Sequence, residues 1–110
     1  MLKNDLDTLR KHAEEGDPEA QYDLAGLYYN ADGVEKDYDE AAKWLHKAAE
    51  QGHSRAQCNL GVYYHNIRTD YCEAVKWYQK AADQGNMLAQ YNLGLCFDSG
   101  EGVKKMKRKQ

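Results

Sequence analysis

The sequence predicts an all-α solenoid of antiparallel helix hairpins. Three observations carry this. A string recurs in register: Ala20-Gln21-Tyr22-Asp23-Leu24, Ala56-Gln57-Cys58-Asn59-Leu60 and Ala89-Gln90-Tyr91-Asn92-Leu93 each follow a Gly-centred joint. The joint glycines Gly16, Gly52 and Gly85 lie 36 and 33 residues apart, and a period in the thirties is that of stacked helical hairpins. Between the joints, apolar residues recur at helical spacing, while Pro occurs once in 110 residues.

The first element is a short amphipathic helix over residues 4–15. Leu2, Leu6, Leu9 and Ala13 form one stripe, and Lys3, Asp7, Arg10, Lys11 and Glu14 take the other side. Gly16 is suited to the left-handed conformation that closes a helix. Asp17-Pro18 opens the next: a carboxylate for the free amides, and Pro where no N–H is needed. Helix A of the first repeat then runs over about 18–30, with Ala20, Leu24, Leu27 and Tyr28 on its inner face.

After the loop Asn30–Lys36, Asp37-x-x-Glu40 resembles a capping box. Ala41, Trp44, Leu45, Ala48 and Ala49 follow as the buried stripe of helix B. The second repeat copies this scheme. Ala56, Leu60, Gly61, Tyr63 and Tyr64 carry its helix A, Asp70-x-x-Glu73 caps helix B, and Ala74, Trp77, Tyr78, Ala81 and Ala82 form the stripe. Its loop is three residues shorter, which accounts for the period of 33. The third repeat supplies a helix A (Ala89, Leu93, Gly94, Phe97) and a loop, Ser99–Val103, and then the pattern stops. Ala25, Gly61 and Gly94 share one register position, where a small side chain lets two helices approach closely. Trp44, Trp77, Tyr28, Tyr64 and Phe97 fill the space between layers.

Charge is unevenly spread. Lys104, Lys105, Lys107, Arg108 and Lys109 put five positive charges in the last seven residues. With these set aside from a formal net charge of −3, the rest of the chain stands at −8. An acidic body argues against nucleic acid as the main ligand, since phosphate contacts need Lys and Arg on the binding face. The basic tail is read either as a contact for an anionic surface or as a solvated end. The first residues show no apolar secretory core, and no stretch has the length to span a bilayer. The expectation is therefore a cytoplasmic protein, not bound to a membrane, whose Cys58, Cys72 and Cys96 are reduced and partly buried.

Candidate chemistry is sparse. Cys58, His65 and Cys72 are seven apart, but the two helices of a hairpin carry them away from each other, so a zinc site is not expected. His12, His46, His53 and His65 have no partner at catalytic spacing, and His53 beside Gly52 reads as a helix-terminal residue. Gly100-Glu101-Gly102 follows no strand and is a turn, not a dinucleotide fingerprint. No catalytic residue, metal or cofactor is assigned.

The string A-Q-Y-N-L-G-x-x-Y, then G-x-G-V, then D-Y-x-E-A-x-K-W-Y-x-K-A-A-E-Q-G-H resembles the Sel-1-like repeat family, a variant of the tetratricopeptide type. Ala20–Leu24, Ala89–Gly94, Asp37-Tyr38, Trp44 and Lys47–His53 carry the match, over about residues 13–103. Three features depart from the family pattern: Ala25-Gly26 at the close-approach position, the missing G-x-G-V loop of the second repeat, and the missing second helix of the third. A secreted branch of the family staples repeats with cysteines eight apart. Those positions are Ala49 and Gln57 here.

The resemblance implies a right-handed superhelix and a scaffold without chemistry of its own. It divides the chain into a B-like capping helix (1–16), repeat 1 (17–52), repeat 2 (53–85), a partial repeat 3 (86–103) and the basic tail (104–110). It also implies a concave groove lined by the A helices, taking a protein or peptide ligand. By register the groove positions are Glu19, Tyr22, Gly26, Tyr29 and Asn30, then Arg55, Cys58, Val62, His65 and Asn66, then Leu88, Tyr91, Leu95 and Asp98. Residues 19, 22, 26 and 29 do share one helical face. Tyr22, Tyr29 and Tyr91 either grip a ligand or pack against the next A helix. A rival reading is a head-to-tail homo-oligomer, in which the first helix of one chain covers an exposed Leu93, Leu95, Cys96 or Phe97 of another.

Overall fold

The computed structural model describes residues 3–102, so Leu2, Val103 and the basic tail lie outside the described residues. Six helices follow in order: α1 (Lys3–Glu14), α2 (Pro18–Asn30), α3 (Tyr38–Glu50), α4 (Ser54–Asn66), α5 (Tyr71–Asp83) and α6 (Met87–Ser99). No strand occurs among the described residues. They divide into two compact units, Met1–Ala56 and Gln57–Gln110.

In the first unit, α2 packs on both α1 and α3. The buried residues are Ala13 of α1, Ala20, Leu24, Ala25 and Leu27 of α2, and Ala41, Ala42, Trp44, Leu45, Ala48 and Ala49 of α3. Leu6 and Leu9 are half-buried. Arg10, expected on the solvent side of α1, is half-buried too and donates to the Tyr28 hydroxyl at 3.3 Å.

The three joints share one closing geometry. At each one the Gly sits in the left-handed region, at φ 103°, 91° and 89° for Gly16, Gly52 and Gly85. The Gly52 amide donates to the Ala49 carbonyl at 3.0 Å and the His53 amide to Ala48 at 3.2 Å. The same pair of bonds closes α1 at Ala13 and His12, and α5 at Ala82 and Ala81. This is the Schellman arrangement, which needs a residue without a Cβ penalty at positive φ.

The residue after each Gly immediately caps the next helix. Asp17 accepts from the Glu19 amide at 3.0 Å, His53 Nδ1 from Ala56 at 3.1 Å, and Asn86 from Ala89 at 2.9 Å. Three different acceptors thus serve one position.

Glutamine side chains brace the joints. Gln21 donates to the carbonyl of Ala13 at 3.0 Å, and Gln90 to Ala82 at 3.3 Å, in both cases eight residues back. Gln51 donates to Gln21 Oε1 at 2.9 Å, and Gln84 to Gln57 Oε1 at 2.9 Å. Gln21 and Gln57 are 3% and 5% exposed, so an unpaired amide on either would be costly, whereas Gln90 is exposed. The eight-residue span is the one that the disulfide-stapled branch bridges covalently.

The predicted capping boxes form only in half. Asp37 accepts from the Glu40 amide at 3.0 Å, and Asp70 from Glu73 at 3.1 Å. The reciprocal bonds go elsewhere: the Asp37 and Asp70 amides donate to the carbonyls of Tyr28 and Tyr64, at 3.0 and 2.8 Å. Glu73 is thereby released to accept from Trp77 Nε1 at 3.1 Å. Trp44, in the same register, buries its Nε1 without a partner.

Phenylalanine therefore has opposite consequences at the two sites. Trp77→Phe removes a made bond and strands part of a carboxylate, whereas Trp44→Phe removes an unpaired donor. Trp77→Phe is expected to cost about 1–2 kcal/mol more than Trp44→Phe, read from urea unfolding midpoints of the two variants.

In the second unit, α5 packs on α6, and the core is Cys58, Ala74, Tyr78, Ala81, Ala89, Leu93 and Cys96. Val62, Tyr64, Val75, Ala82 and Phe97 pack around it, half-buried. The close approach predicted at Gly61 is present: a Cβ there would stand 2.6 Å from the Tyr78 ring. At Gly94 it is absent, with nothing within 4 Å of the corresponding Cβ position. The stretch after 102, where a second helix of this hairpin is not expected from the sequence, lies outside the described residues.

Candidate functional site

The repeat register places candidate contact residues in both units, and their surroundings differ sharply. In the first unit, Tyr22 on α2 is half-buried between two side chains. It stacks on the His53 ring, with centroids 4.7 Å apart and planes 24° apart, and the Arg55 guanidinium lies 5.2 Å from its ring.

Glu19 ties these groups together, 2.8 Å from His53 Nε2 and 3.5 Å from Arg55. With Nδ1 accepting from the Ala56 amide and Nε2 donating to Glu19, the neutral imidazole satisfies both bonds. Burial, then the charge of Glu19, raises the Asp23 carboxyl above its ordinary range, against the opposing pull of Arg55 and His53.

Tyr22 is thus a packing residue against the following helix. Tyr29 is half-buried beside Tyr38 at 4.8 Å. Its hydroxyl is shifted up by burial and by Tyr38. Asn30 is exposed, and the space over Gly26 is open.

In the second unit, the Cys58 assignment fails. Cys58 is 2% exposed and belongs to the core against α5 and α6, so it faces no groove. Burial pushes its thiol up, and the Cys96 thiol likewise, with the Glu101 charge adding to the latter. Both are packing thiols in the protonated form. Cys72 differs from the expected partial burial and is exposed. Among the described residues no group of three or more His, Cys, Asp or Glu side chains is placed to hold a metal ion.

Between α4 and α6 lies a cleft of about 630 Å³. Val62, Leu95, Tyr78 and Cys96 line its apolar side, and His65, Asn66, Asn92, Asp98, Ser99 and Glu101 its polar side. Five of these residues, Val62, His65, Asn66, Leu95 and Asp98, are in the register-derived set. Asn92 and Glu101 are missed by register, because Glu101 comes from the loop after α6.

His65 links that loop to α4: Nε2 is 2.8 Å from Glu101 and Nδ1 is 2.9 Å from the Asn66 side-chain oxygen. The bond to Asn66, then that to Glu101, raises the His65 pKa above its ordinary value, against desolvation. Gly102, in the left-handed region at φ 74°, lies so close to the Tyr71 carbonyl that a Cβ would collide with it.

The sign of the resulting pH dependence follows. A histidine whose folded pKa is raised contributes stability fully below its unfolded pKa, and loses it as pH rises through the folded value. The clamp is therefore tightest in mildly acidic solution and weakens toward alkaline pH. Comparing urea midpoints at pH 6 and 8 for the wild type and His65→Gln checks this. The wild type should lose more stability over that interval than the variant, and the His65 ring resonance should titrate above its reference pKa.

The third set is the most exposed. Leu88, Tyr91 and Leu95 on α6 are 56%, 65% and 48% exposed, with Met87 beside them at 81%. Asp98 is also exposed. Leu93 and Cys96, expected to be uncovered, are buried, and Phe97 is half-buried. The open face of α6 is thus its 87–88–91–95 side, and the 93–96–97 side that the head-to-tail reading left uncovered is turned inward.

Comparison with known proteins follows this architecture. The Sel1 repeat family model matches residues 18–53, 54–86 and 88–108. A Sel1 repeat protein from Oxalobacter formigenes is 43% identical over 90% of this chain and 77% of its own, with a TM-score of 0.79. A protective antigen present in uropathogenic Escherichia coli strains, displaying an SLR fold, is 45% identical over 91% of this chain, with a TM-score of 0.85. The present chain spans only 22% of that antigen. No curated protein matches. No described helix is long and apolar enough to cross a membrane. The chain belongs to the Sel1 repeat family, and its fold class is the all-α helical-repeat solenoid of that family.

Proposed function

We propose that the chain is a protein-interaction module without chemistry of its own, and that the cleft between α4 and α6 takes a peptide segment. Sel1 repeat proteins are generally protein-interaction scaffolds. The observation that carries the proposal is the cleft itself: an apolar floor of Val62 and Leu95 beside the amides of Asn66 and Asn92 and the carboxylate of Asp98. Such a surface accepts an apolar side chain while pairing with the polar backbone of an extended or turned segment. Val62, His65, Leu95 and Asp98 make the contact, with Leu88 and Tyr91 extending it. In the first unit, taken by itself, Glu19, Asn30 and Arg55 are exposed and Tyr29 is half-buried.

Selection from a displayed peptide library, followed by titration of the winners, tests this. Binding in the micromolar range that weakens at least tenfold in Leu95→Ala and Asn92→Ala supports the reading. Failure to select any peptide, or equal binding by both variants, overturns it.

A further inference from the structure

We infer that the outer face of α6 is a homotypic contact surface, which pairs with α6 of a second copy in an antiparallel, two-fold arrangement. The inference rests on reading α6 as a protein-contact surface. Among the described residues, the exposed large hydrophobic side chains are Met87, Leu88, Tyr91 and Leu95. All four belong to this one helix. At 100° per residue, these four together with Gly94 and Asp98 occupy an arc of about 120° centred on Tyr91. That is the width of a stripe that packs on another helix.

The occupant follows from what the rest of the chain offers. The outward side of α1 is charged and polar, with Asp5, Asp7, Lys11 and Glu14 exposed. It gives no apolar counterpart to Leu88 or Leu95. The counterpart within the described chain is the same face on another copy, and a surface that pairs with itself closes as a two-fold dimer.

The stripe is self-complementary in detail. With the axis passing at Tyr91, the two tyrosines meet. Leu88 falls opposite the partner's Leu95, and Met87 falls opposite the partner's Gly94. Gly94 has open space over its Cβ position, a notch that receives the Met87 side chain. Asp98 arrives beside the partner's first helical turn, whose free amides favour a carboxylate.

The size of the patch sets the expected strength. At the exposures given above, on residues of roughly 200 Å² each, it amounts to roughly 500 Å² per copy. A pair then buries about 1,000 Å², the lower limit for a specific interface. The dimer is accordingly weak, forming in the micromolar range and dissociating on dilution.

The full-length chain tests this by sedimentation equilibrium across a concentration series, together with cysteine cross-linking. In a Cys72→Ser background, Tyr91→Cys lies on the axis and should oxidise to a disulfide-linked dimer. Gln79→Cys, exposed on α5, should not. Met87→Glu should raise the dissociation constant at least tenfold while leaving the helical circular dichroism unchanged.

A monomeric mass at every concentration, or equal cross-linking at positions 91 and 79, overturns the proposal. If the monomer still binds a selected peptide in a Leu95-dependent way, the interaction reading stands and the second copy alone is rejected. If the monomer binds no peptide either, both fall.

Discussion

Trp77→Ala is expected to destabilise the protein by roughly 3–5 kcal/mol. The indole is 6% exposed and sits on α5 between Ala74 and Ala81, both fully buried. Its truncation leaves a cavity that those small neighbours cannot fill. It also removes the partner of Glu73, whose carboxylate accepts from Nε1 at 3.1 Å. Set against a total of about 5–15 kcal/mol for a domain, that loss is a large share. A urea titration should show the midpoint falling well below that of the wild type. Lys76 and Lys80 stand 5.7 Å from the indole ring. Their charges are solvent-facing, so Lys80→Ala should move the midpoint by less than about 1 kcal/mol. An unchanged midpoint in Trp77→Ala would remove the assignment of Trp77 to the core.

The features legible in the sequence are those set by backbone chemistry within one segment. Gly16, Gly52 and Gly85 could be read as helix ends because the closing turn needs positive φ, and Asp17, Asp37 and Asp70 as caps because a carboxylate there meets free amides. The Trp and Ala stripes of α3 and α5 follow from 3.6-residue periodicity alone.

Features that depend on a second segment were not legible. Tyr22, Cys58 and Tyr91 hold one register position and have three fates. Tyr22 is roofed by His53 and Arg55, Cys58 is sealed in the core of its unit, and Tyr91 is open to solvent. Register fixes the direction in which a side chain points, and the neighbouring helix decides whether anything lies over it. The same holds for the polar contacts. Gln51 reaches Gln21 and Gln84 reaches Gln57, 30 and 27 residues back, and no local pattern announces those pairs. Within the candidate site, Val62, His65, Asn66, Leu95 and Asp98 were recoverable from register, while Glu101 required the loop after α6 to fold back on His65. His53 was legible as a helix-terminal residue beside Gly52, and the structure adds that its Nδ1 accepts from the Ala56 amide.

Gly61 and Gly94 turn this distinction into a measurement. They are the same residue in the same register of helix A, so helix propensity predicts the same result for both. Alanine should gain about 0.5–1 kcal/mol over glycine in a helix interior. At Gly94 nothing opposes that gain, since the added methyl meets no atom within 4 Å. At Gly61 the added methyl lies 2.6 Å from two carbons of the Tyr78 ring. That ring is 3% exposed in the core, and it must shift for the methyl to fit. Overpacking of this kind costs about 1–3 kcal/mol, which exceeds the propensity gain. Gly61→Ala is therefore expected to destabilise, and Gly94→Ala to be neutral or mildly stabilising. Thermal melts at low protein concentration keep any association through α6 from contributing. The contrast can be sharpened with Tyr78→Leu, which removes the ring that Gly61 accommodates. In that background Gly61→Ala should lose most of its penalty, giving a coupling of opposite sign to the single-variant effects. If both alanine variants behaved alike, the close approach of α4 and α5 at Gly61 would not be what glycine serves there.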